Sequence, residues 1–388
     1  MKLTCLQEHL RKGLTTVSRA VGTRSSLPIL SNVLLETDGA RLKLAANDLE
    51  IGITCWIDAH IDEAGAVALP ARLFNDIVSN LPPDDVHLTL DARTQTVKLE
   101  CARFTSHVKG READEFPLIP TVTNRDAALR LPADLLRQSI EQVAFAASND
   151  DTRMALKGVL IRVIKNNQSG GCTIKLSATD SYRLAVRTIT VPEATLPEEA
   201  PSAQEFLVSA RALSELARIT GDSDEHVFIA VTPGEGHALF CTETTELASR
   251  LIGEKFPDFE RIIPTEHTTR TLVDTQALLK AVKLASFFAT ADQNFVKLTI
   301  EPGDEVGPGR MVISANAAEV GDNTGELDGT VQGEGGQIAM NVKFMAEALA
   351  AMGTSQVALE IQTPDKPGVF KPVGHDDYIH LIMPIRMR

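Results

Sequence analysis

The amino-acid sequence predicts an α+β fold of three similar repeats, each with two helices on several antiparallel strands. The chain has 388 residues, a length that favours two or three domains over one. Three elements recur along it in the same order, with a period of roughly 130 residues. Between the helices, alternating apolar residues such as Val86, Leu88 and Leu90 indicate strands with one buried face.

The first recurring element is an amphipathic helix. Apolar residues at i, i+4 and i+7 give each copy one stripe that faces a core. The three stripes are Leu10, Leu14 and Val17; Leu136, Ile140 and Val143; and Leu278, Val282 and Ala285.

The second recurring element is a strand that ends in a short polar turn. Its copies are residues 42–48, 174–180 and 311–317. In each copy, alternating apolar residues lead into residues that favour a turn. Asp48 and Asp180 therefore occupy equivalent positions in two repeats.

The third recurring element is a strand that runs directly into a second helix, at residues 69–74, 208–213 and 340–345. Arg72, Arg211 and Lys343 recur near the start of that helix. A cation is unfavourable at a helix N-terminus, so its threefold recurrence indicates a use.

Proline-containing segments at 115–120 and 255–264 mark the junctions between repeats. Extended X-Pro segments suit linkers between compact units. We therefore expect domains at residues 1–120, 128–257 and 258–388.

The net charge of −14 argues against simple electrostatic binding to nucleic acid. An acidic protein can still act on DNA if its basic residues are gathered on one face, or if it holds DNA by topology. The N-terminus has no signal-peptide pattern and no apolar stretch is long enough to span a membrane, so we expect a cytoplasmic protein.

No motif for catalysis, for a cofactor or for a metal is recognised in the sequence. The five cysteines are odd in number, widely spaced and without a C-x-x-C pair, so we expect reduced core residues. They are Cys5, Cys55, Cys101, Cys172 and Cys241.

Several motifs in order make the chain resemble the bacterial DNA polymerase III sliding clamp (beta subunit) over its whole length. The motifs are residues 1–4 (MKLT), 27–30 (LPIL), 47–50 (NDLE), 178–185 (ATDSYRLA), 256–264 (FPDFERIIP) and 383–386 (MPIR). The resemblance implies three DNA-clamp domains per chain and a head-to-tail homodimer that forms a closed six-domain ring. It also implies a non-catalytic processivity factor without a cofactor, which encircles double-stranded DNA and tethers polymerases.

The implied partners are a clamp loader, the DNA polymerase III alpha subunit and other proteins with a clamp-binding motif. The resemblance assigns DNA contact to Arg24, Arg72, Arg153 and Arg211. Met154 and Ala155 depart from a tyrosine pair that family members can carry, which puts a stacking contact with single-stranded DNA at this loop in doubt.

The resemblance also assigns a dimer interface and a peptide pocket. The interface residues are Arg103, Phe104, Phe287 and Phe288. Adjacent helical residues point about 100° apart, so we expect either Phe287 or Phe288 to be exposed. The pocket residues are Leu156, Thr179, Ser181, Tyr182, Arg183, Leu184, Pro257, Arg261, Ile262, Phe295, Asn341, Phe344, Ile382, Met383, Pro384, Ile385 and Arg386.

Three alternatives stay open at this point. Leu156, Leu184 and Ile262 could be ordinary core residues. Asp48 and Asp180 could be the carboxylates of an enzyme, although their equivalent positions favour a repeated turn. The chain could also be a repeat-built scaffold with no DNA role.

Overall fold

The structure is a computed structural model of the chain, and it describes residues 1–22, 27–166, 171–192, 202–221, 225–232, 234, 236–289, 294–304, 307–317, 319 and 321–386. The α-helices in this part of the chain are α1 (Gln7–Val17), α2 (Ala71–Ser79), α3 (Ala133–Val143), α4 (Ala210–Ile219), α5 (Thr275–Ala285) and α6 (Val342–Ala351).

The β-strands of the first repeat are β1 (Lys2–Leu6), β2 (Asn32–Asp38), β3 (Arg41–Asn47), β4 (Ile51–Asp58), β5 (His60–Glu63), β6 (Ala66–Pro70), β7 (Asp85–Asp91), β8 (Thr96–Cys101) and β9 (Phe104–Lys109). Those of the second are β10 (Leu129–Pro132), β11 (Gly158–Asn166), β12 (Gly171–Thr179), β13 (Arg183–Pro192), β14 (Ala203–Ser209), β15 (His226–Thr232), β16 (His237–Cys241) and β17 (Thr245–Arg250). Those of the third are β18 (Thr269–Asp274), β19 (Phe295–Glu301), β20 (Gly309–Ala317), β21 (Gly321–Gly333), β22 (Gly336–Asn341), β23 (Gln356–Ile361), β24 (Gly368–Pro372) and β25 (Tyr378–Ile382).

All three predicted elements recur in the structure. The predicted stripes of α1, α3 and α5 are buried in every repeat. The turn-ending strands are β3, β12 and β20, and the strands that run into a helix are β6, β14 and β22. The predicted α+β repeat architecture is therefore confirmed.

The described residues divide into two compact units, the first with Met1–Arg137 and Ala212–Leu251, the second with Gln138–Glu193, Pro201–Arg211 and Ile252–Arg388. The first unit has a five-stranded sheet in the order β5-β1-β7-β8-β9 and an eight-stranded sheet in the order β10-β15-β16-β17-β4-β3-β2-β6. The second unit has one twelve-stranded sheet, in the order β14-β11-β12-β13-β25-β24-β23-β18-β21-β20-β19-β22.

Each large sheet joins strands of two successive repeats. In the first unit β17 of the second repeat pairs with β4 of the first, with Ser249 opposite Ile51. In the second unit β25 of the third repeat pairs with β13 of the second, with Ile382 opposite Arg183. Backbone hydrogen bonds therefore continue across both junctions, and each large sheet extends from one repeat into the next.

The cysteines are buried as free thiols, which confirms the prediction of reduced core residues. Burial raises the pKa of Cys5 to about 12 and the pKa of Cys241 to about 11, so both thiols stay protonated at neutral pH. No helix in the described part of the chain is long and apolar enough to cross a membrane.

Candidate functional site

The turn between β12 and β13 forms one wall of the predicted pocket. The Asp180 carboxylate accepts hydrogen bonds from the backbone N–H groups of Tyr182, at 2.9 Å, and Arg183, at 3.0 Å. The Thr179 hydroxyl donates to the Arg183 carbonyl oxygen at 2.6 Å and accepts from the Ser181 N–H at 3.1 Å. These bonds hold Ser181 at a φ of 81° and leave Tyr182 62% exposed.

The same bonds decide the role of the two equivalent aspartates. The Asp48 carboxylate accepts from the backbone N–H groups of Glu50, at 3.0 Å, and Ile51, at 2.8 Å. Asp48 and Asp180 each cap a tight turn of their own repeat. This repeated arrangement favours the structural interpretation of both carboxylates over an acid–base pair.

Arg183 lies beneath this turn and is buried. Its guanidinium donates to the Asp180 carboxylate at 3.0 Å, to the Glu347 carboxylate and to the Phe145 carbonyl oxygen at 2.7 Å. The same group lies 4.4 Å from the centre of the Phe344 ring. Arg183 thus joins the turn to α6 and to the segment after α3, as a buried arginine with several acceptors can.

The C-terminal segment forms the next wall. After β25, the Met383 N–H donates to the Tyr182 carbonyl oxygen at 2.8 Å, and the Ile385 N–H donates to the Ala339 carbonyl oxygen at 2.8 Å. The segment is therefore bonded first to the residue that precedes β13 and then to β22. Ile382 is buried, Met383 is 38% exposed and Arg386 is exposed.

An apolar cluster lies under these walls and consists of Leu160, Leu184, Val186, Leu207, Phe256, Phe259, Val369 and Leu381. Leu184 is 1% exposed and Leu156 is 8% exposed, so both are core residues in this structure. Ile262 is 46% exposed, and the interpretation of Ile262 as ordinary core is wrong. We call the exposed apolar residues of the predicted pocket, Tyr182, Ile262 and Met383, the candidate groove, with the buried Leu184 as its proposed floor.

The remaining predicted pocket residues belong to the same compact unit. Asn341 caps α6, because its side-chain oxygen accepts from the N–H groups of Lys343 and Phe344 at 2.9 and 3.2 Å. Phe295 is paired with Asn341 in the β19–β22 ladder. Pro257 is exposed, Pro384 is half-buried, and the exposed Arg261 forms an ion pair with Asp258 at 3.0 Å.

The predicted DNA-contact residues fall in different settings. Arg72 and Arg211 are exposed second residues of α2 and α4, and Lys343 has the same place in α6. Arg153 donates to the Asp150 carboxylate at 3.1 Å and to the Ser181 hydroxyl at 3.2 Å, which places it against the groove turn. Arg24 lies outside the described residues.

The structure places Ala155 against the apolar cluster and leaves Met154 38% exposed. No ring is present at these two positions to stack on a base. The Arg153 loop can therefore offer charge and hydrogen bonds, but no aromatic stacking.

Three of the four predicted interface residues are exposed in the single chain. Phe104 begins β9, at the end of the five-stranded sheet, and is 59% exposed, and Arg103 before it is exposed. Phe287 is 75% exposed and Phe288 is half-buried, both in the turn that follows α5. This confirms that one member of the adjacent aromatic pair is exposed.

Sequence reasoning missed a buried network beneath the groove. His380 is fully buried, stacks on the Phe145 ring with centres 5.4 Å apart, and lies 3.5 Å from the Tyr378 hydroxyl. Tyr378 donates to the Gln142 carbonyl oxygen at 2.9 Å. The alternation of Tyr378, His380 and Ile382 in one strand was a usable signal for a buried histidine, whereas nothing near Glu347 indicated its pairing with Arg183.

We predict that His380 makes stability fall in mild acid. Burial lowers the pKa of His380 to about 3, with a smaller contribution from Arg183. The unfolded chain binds this proton near pH 6.5, so the penalty is absent above that pH and grows as the pH falls towards 3. Between pH 7 and pH 5 the free energy of unfolding should drop by about 2 kcal/mol because of this residue.

Urea unfolding of the wild type and His380→Phe at both pH values measures this contribution. The variant keeps a ring against Phe145 and should lose less stability in acid than the wild type. His375→Phe, at an exposed position, serves as the matched control. Equal acid losses in His380→Phe and the wild type would contradict the prediction.

Known proteins are similar to this chain over its full length. Family models of the DNA polymerase III beta subunit match at residues 1–120 for the N-terminal domain, 130–258 for the central domain and 260–386 for the C-terminal domain. The beta sliding clamp of Synechococcus elongatus is 34% identical, with 100% of both chains covered. That of Synechocystis sp. is 31% identical, again with 100% of both covered.

The solved structures give the same result. The crystal structure of the DNA polymerase sliding clamp from Bacillus subtilis superposes with a TM-score of 0.89 at 27% identity and covers 100% of both chains. The repeated fold, the groove turn and the full-length family match agree with one another. The chain therefore belongs to the DNA polymerase III beta subunit family, the beta sliding clamps.

Proposed function

We infer that this protein is a processivity factor: a non-catalytic clamp of the replication machinery that holds polymerases on DNA. The observation that carries this function is the match of all three family domains along one chain that has the threefold repeat. It disfavours a repeat-built scaffold without a DNA role. The proposal divides the chain into clamp domains at residues 1–120, 128–257 and 258–388. It also places the protein in the cytoplasm.

The proposal includes a head-to-tail homodimer that closes into a ring around double-stranded DNA. Three pseudo-equivalent domains leave two unlike ends, and a heterologous contact between unlike ends closes a ring when the rotation permits. The exposed Phe104 edge strand and the exposed Phe287 turn are suited to that contact. Arg24, Arg72, Arg153 and Arg211 are the proposed DNA contacts.

Weak contacts with DNA suit this function. Arg72 and Arg211 project from helix starts in a chain with a net charge of −14, so phosphate attraction is local and limited. Contacts with phosphates carry no sequence information, and a protein without base contacts can move along the duplex. Retention on DNA then depends on the closed ring.

The groove is proposed as the shared docking site for the DNA polymerase III alpha subunit, the clamp loader and other partners with a clamp-binding motif. Its exposed apolar residues, Tyr182, Ile262 and Met383, come from three separate segments. A flexible methionine adapts to different side chains. Arg261 and Arg386 at the rim add positive charge.

We expect a short polymerase-derived peptide with apolar side chains and a glutamine to bind near micromolar affinity. Two or three buried apolar side chains contribute about 1.5–3 kcal/mol each, against the cost of ordering the peptide. Ile262→Asp should weaken binding at least about tenfold, because it places a charge in the apolar contact. Isothermal calorimetry with the full-length protein measures the change.

Leu73→Asp is the matched control, since it puts the same charge on a leucine of α2 that is 52% exposed and is not among the pocket residues. Its peptide affinity should equal that of the wild type. Unchanged affinity in a folded Ile262→Asp protein would place the docking site elsewhere.

A further inference from the structure

We propose that the first unit carries a second peptide-docking groove, built like the first but selective for a different peptide. It lies at the junction of the first two repeats, between the turn after β3, residues 117–120 and the strands β16 and β17. The proposal rests on the proposed function of the groove of Tyr182, Ile262 and Met383, which we call the Ile262 groove. The two sites are compared as equivalents. We call the new site the Leu118 groove.

The turns of the two grooves have the same hydrogen bonds. In the Leu118 groove the Asn47 side chain accepts from the Leu49 N–H at 2.7 Å, where Thr179 accepts from Ser181. Asp48 repeats the two bonds of Asp180 described above. Leu49 has a φ of 74°, against 81° for Ser181.

The wall strands are equivalent as well. The Arg250 N–H donates to the Glu50 carbonyl oxygen at 2.9 Å, as the Met383 N–H donates to the Tyr182 carbonyl oxygen at 2.8 Å. This correspondence puts Glu50 in the place of Tyr182 and Arg250 in the place of Met383. A groove wall of the same backbone construction is therefore present twice in the chain.

The third side of each groove is a segment that starts at a buried phenylalanine followed by a proline and ends in two apolar residues and a second proline. Phe116 is 8% exposed and Phe256 is 6% exposed. Near the ends of the two segments stand Leu118, 96% exposed, and Ile262, 46% exposed. Each groove therefore has an exposed apolar residue at the equivalent place of this segment.

The differences between the grooves decide what fits. Gly52 replaces Leu184 on the floor, and Ile119 fills part of that space, since a Cβ on Gly52 would lie 2.7 Å from an Ile119 methyl carbon. The remaining cavity is about 150 Å³. This volume is well below that of a typical small-molecule site and suits a single apolar side chain.

The rims of the two grooves differ in the charge at two equivalent wall positions. Asp48 has its equivalent in Asp180, but the exposed Glu50 stands in the place of Tyr182 and the exposed Arg250 in the place of Met383. His237 lines the cavity, and its Nδ1 atom is buried without a hydrogen-bond partner among the described residues.

The occupant is therefore an extended peptide that inserts one leucine and carries a lysine or arginine next to it. The leucine enters the cavity between Leu49 and Leu118, and the basic side chain lies near Glu50. In the Ile262 groove Tyr182 takes the place of Glu50, so a basic neighbour would find no carboxylate at that position. The two grooves of one chain thus select different peptides.

Two fluorescent, photo-crosslinkable hexapeptides test the proposal on the full-length protein. Both contain one leucine among glycine and serine, with lysine beside the leucine in one and glutamate in the other. Mass spectrometry should locate crosslinks of the lysine peptide at residues 49–50 or 117–120. Fluorescence anisotropy should show the lysine peptide binding about fivefold more tightly than the glutamate peptide, as expected for one rim charge.

Two variants make the result specific. Glu50→Lys should reverse the order of the two peptides, and Leu118→Asp should abolish the crosslinks. Absence of crosslinks at these segments in the wild type, or an order that Glu50→Lys leaves unchanged, overturns the proposal. Ile262→Asp should leave lysine-peptide binding intact while glutamine-peptide binding falls, so that failure of one groove is distinguished from failure of the other.

Discussion

Phe104→Asp combined with Phe287→Asp should convert the protein from dimers to monomers. Phe104 and Phe287 are 59% and 75% exposed in the single chain, and a head-to-tail contact would bury them. Each burial of a phenylalanine contributes about 1.5–3 kcal/mol, and each buried, unpaired carboxylate adds a further penalty. The dissociation constant of each interface should rise more than about 1,000-fold, the equivalent of about 4 kcal/mol.

Sedimentation velocity at micromolar concentration measures the oligomeric state. Tyr182→Asp is the matched control, because Tyr182 is 62% exposed but belongs to the peptide groove. That variant should remain dimeric. A wild type that sediments as a monomer at this concentration would contradict the ring, whatever the variants do.

The helices and strands could be predicted because their signals are local. The stripe of Leu10, Leu14 and Val17 needs only the helical period, and it is buried as predicted. The turns at Asp48 and Asp180 needed only residue type and repeat position. Because the same pattern occurs in three repeats, the prediction for one repeat was supported by the other two.

The pairing between repeats could not be predicted from the sequence. Whether β25 pairs with β13 or closes a sheet within its own repeat depends on contacts between residues about 200 positions apart, such as Arg183 and Ile382. Alternation fixes which face of a strand is buried, but not which strand lies beside it.

The residues of the candidate site were proposed from family motifs, but their burial and the network beneath them were not predicted. The family motifs assigned the segments of Tyr182, Ile262 and Met383 to one pocket. The structure shows that Leu184 is buried and Ile262 is exposed, a difference that two apolar residues in family motifs do not signal. The ion pair between Arg183 and Glu347 links residues 164 positions apart, and no local sequence pattern predicts it.

The Arg153 loop illustrates how a substitution changes the interpretation of a site. A tyrosine pair after the arginine would offer rings to a base, but Met154 and Ala155 stand there, and Ala155 packs under the groove. Arg153 itself is held by Asp150 and Ser181. A change at this loop should therefore affect the groove turn as well as any DNA contact.

We propose that the protein holds DNA by encircling it, and the dependence on salt distinguishes this mode from electrostatic binding. Contacts through Arg72 and Arg211 should fade as salt rises, because at about 1 M salt the Debye length falls to about 3 Å. A closed ring has no such dependence. Its release requires an open interface or a free DNA end.

The most direct measurement is the retention of labelled protein that a clamp loader of the same organism has placed on nicked circular DNA. After gel filtration in about 1 M salt, the protein should stay with the circle and should leave when a restriction enzyme cuts the circle once. The double Phe104→Asp and Phe287→Asp variant should not be retained at all. Equal loss of the wild type from circular and linear DNA at high salt would contradict topological holding.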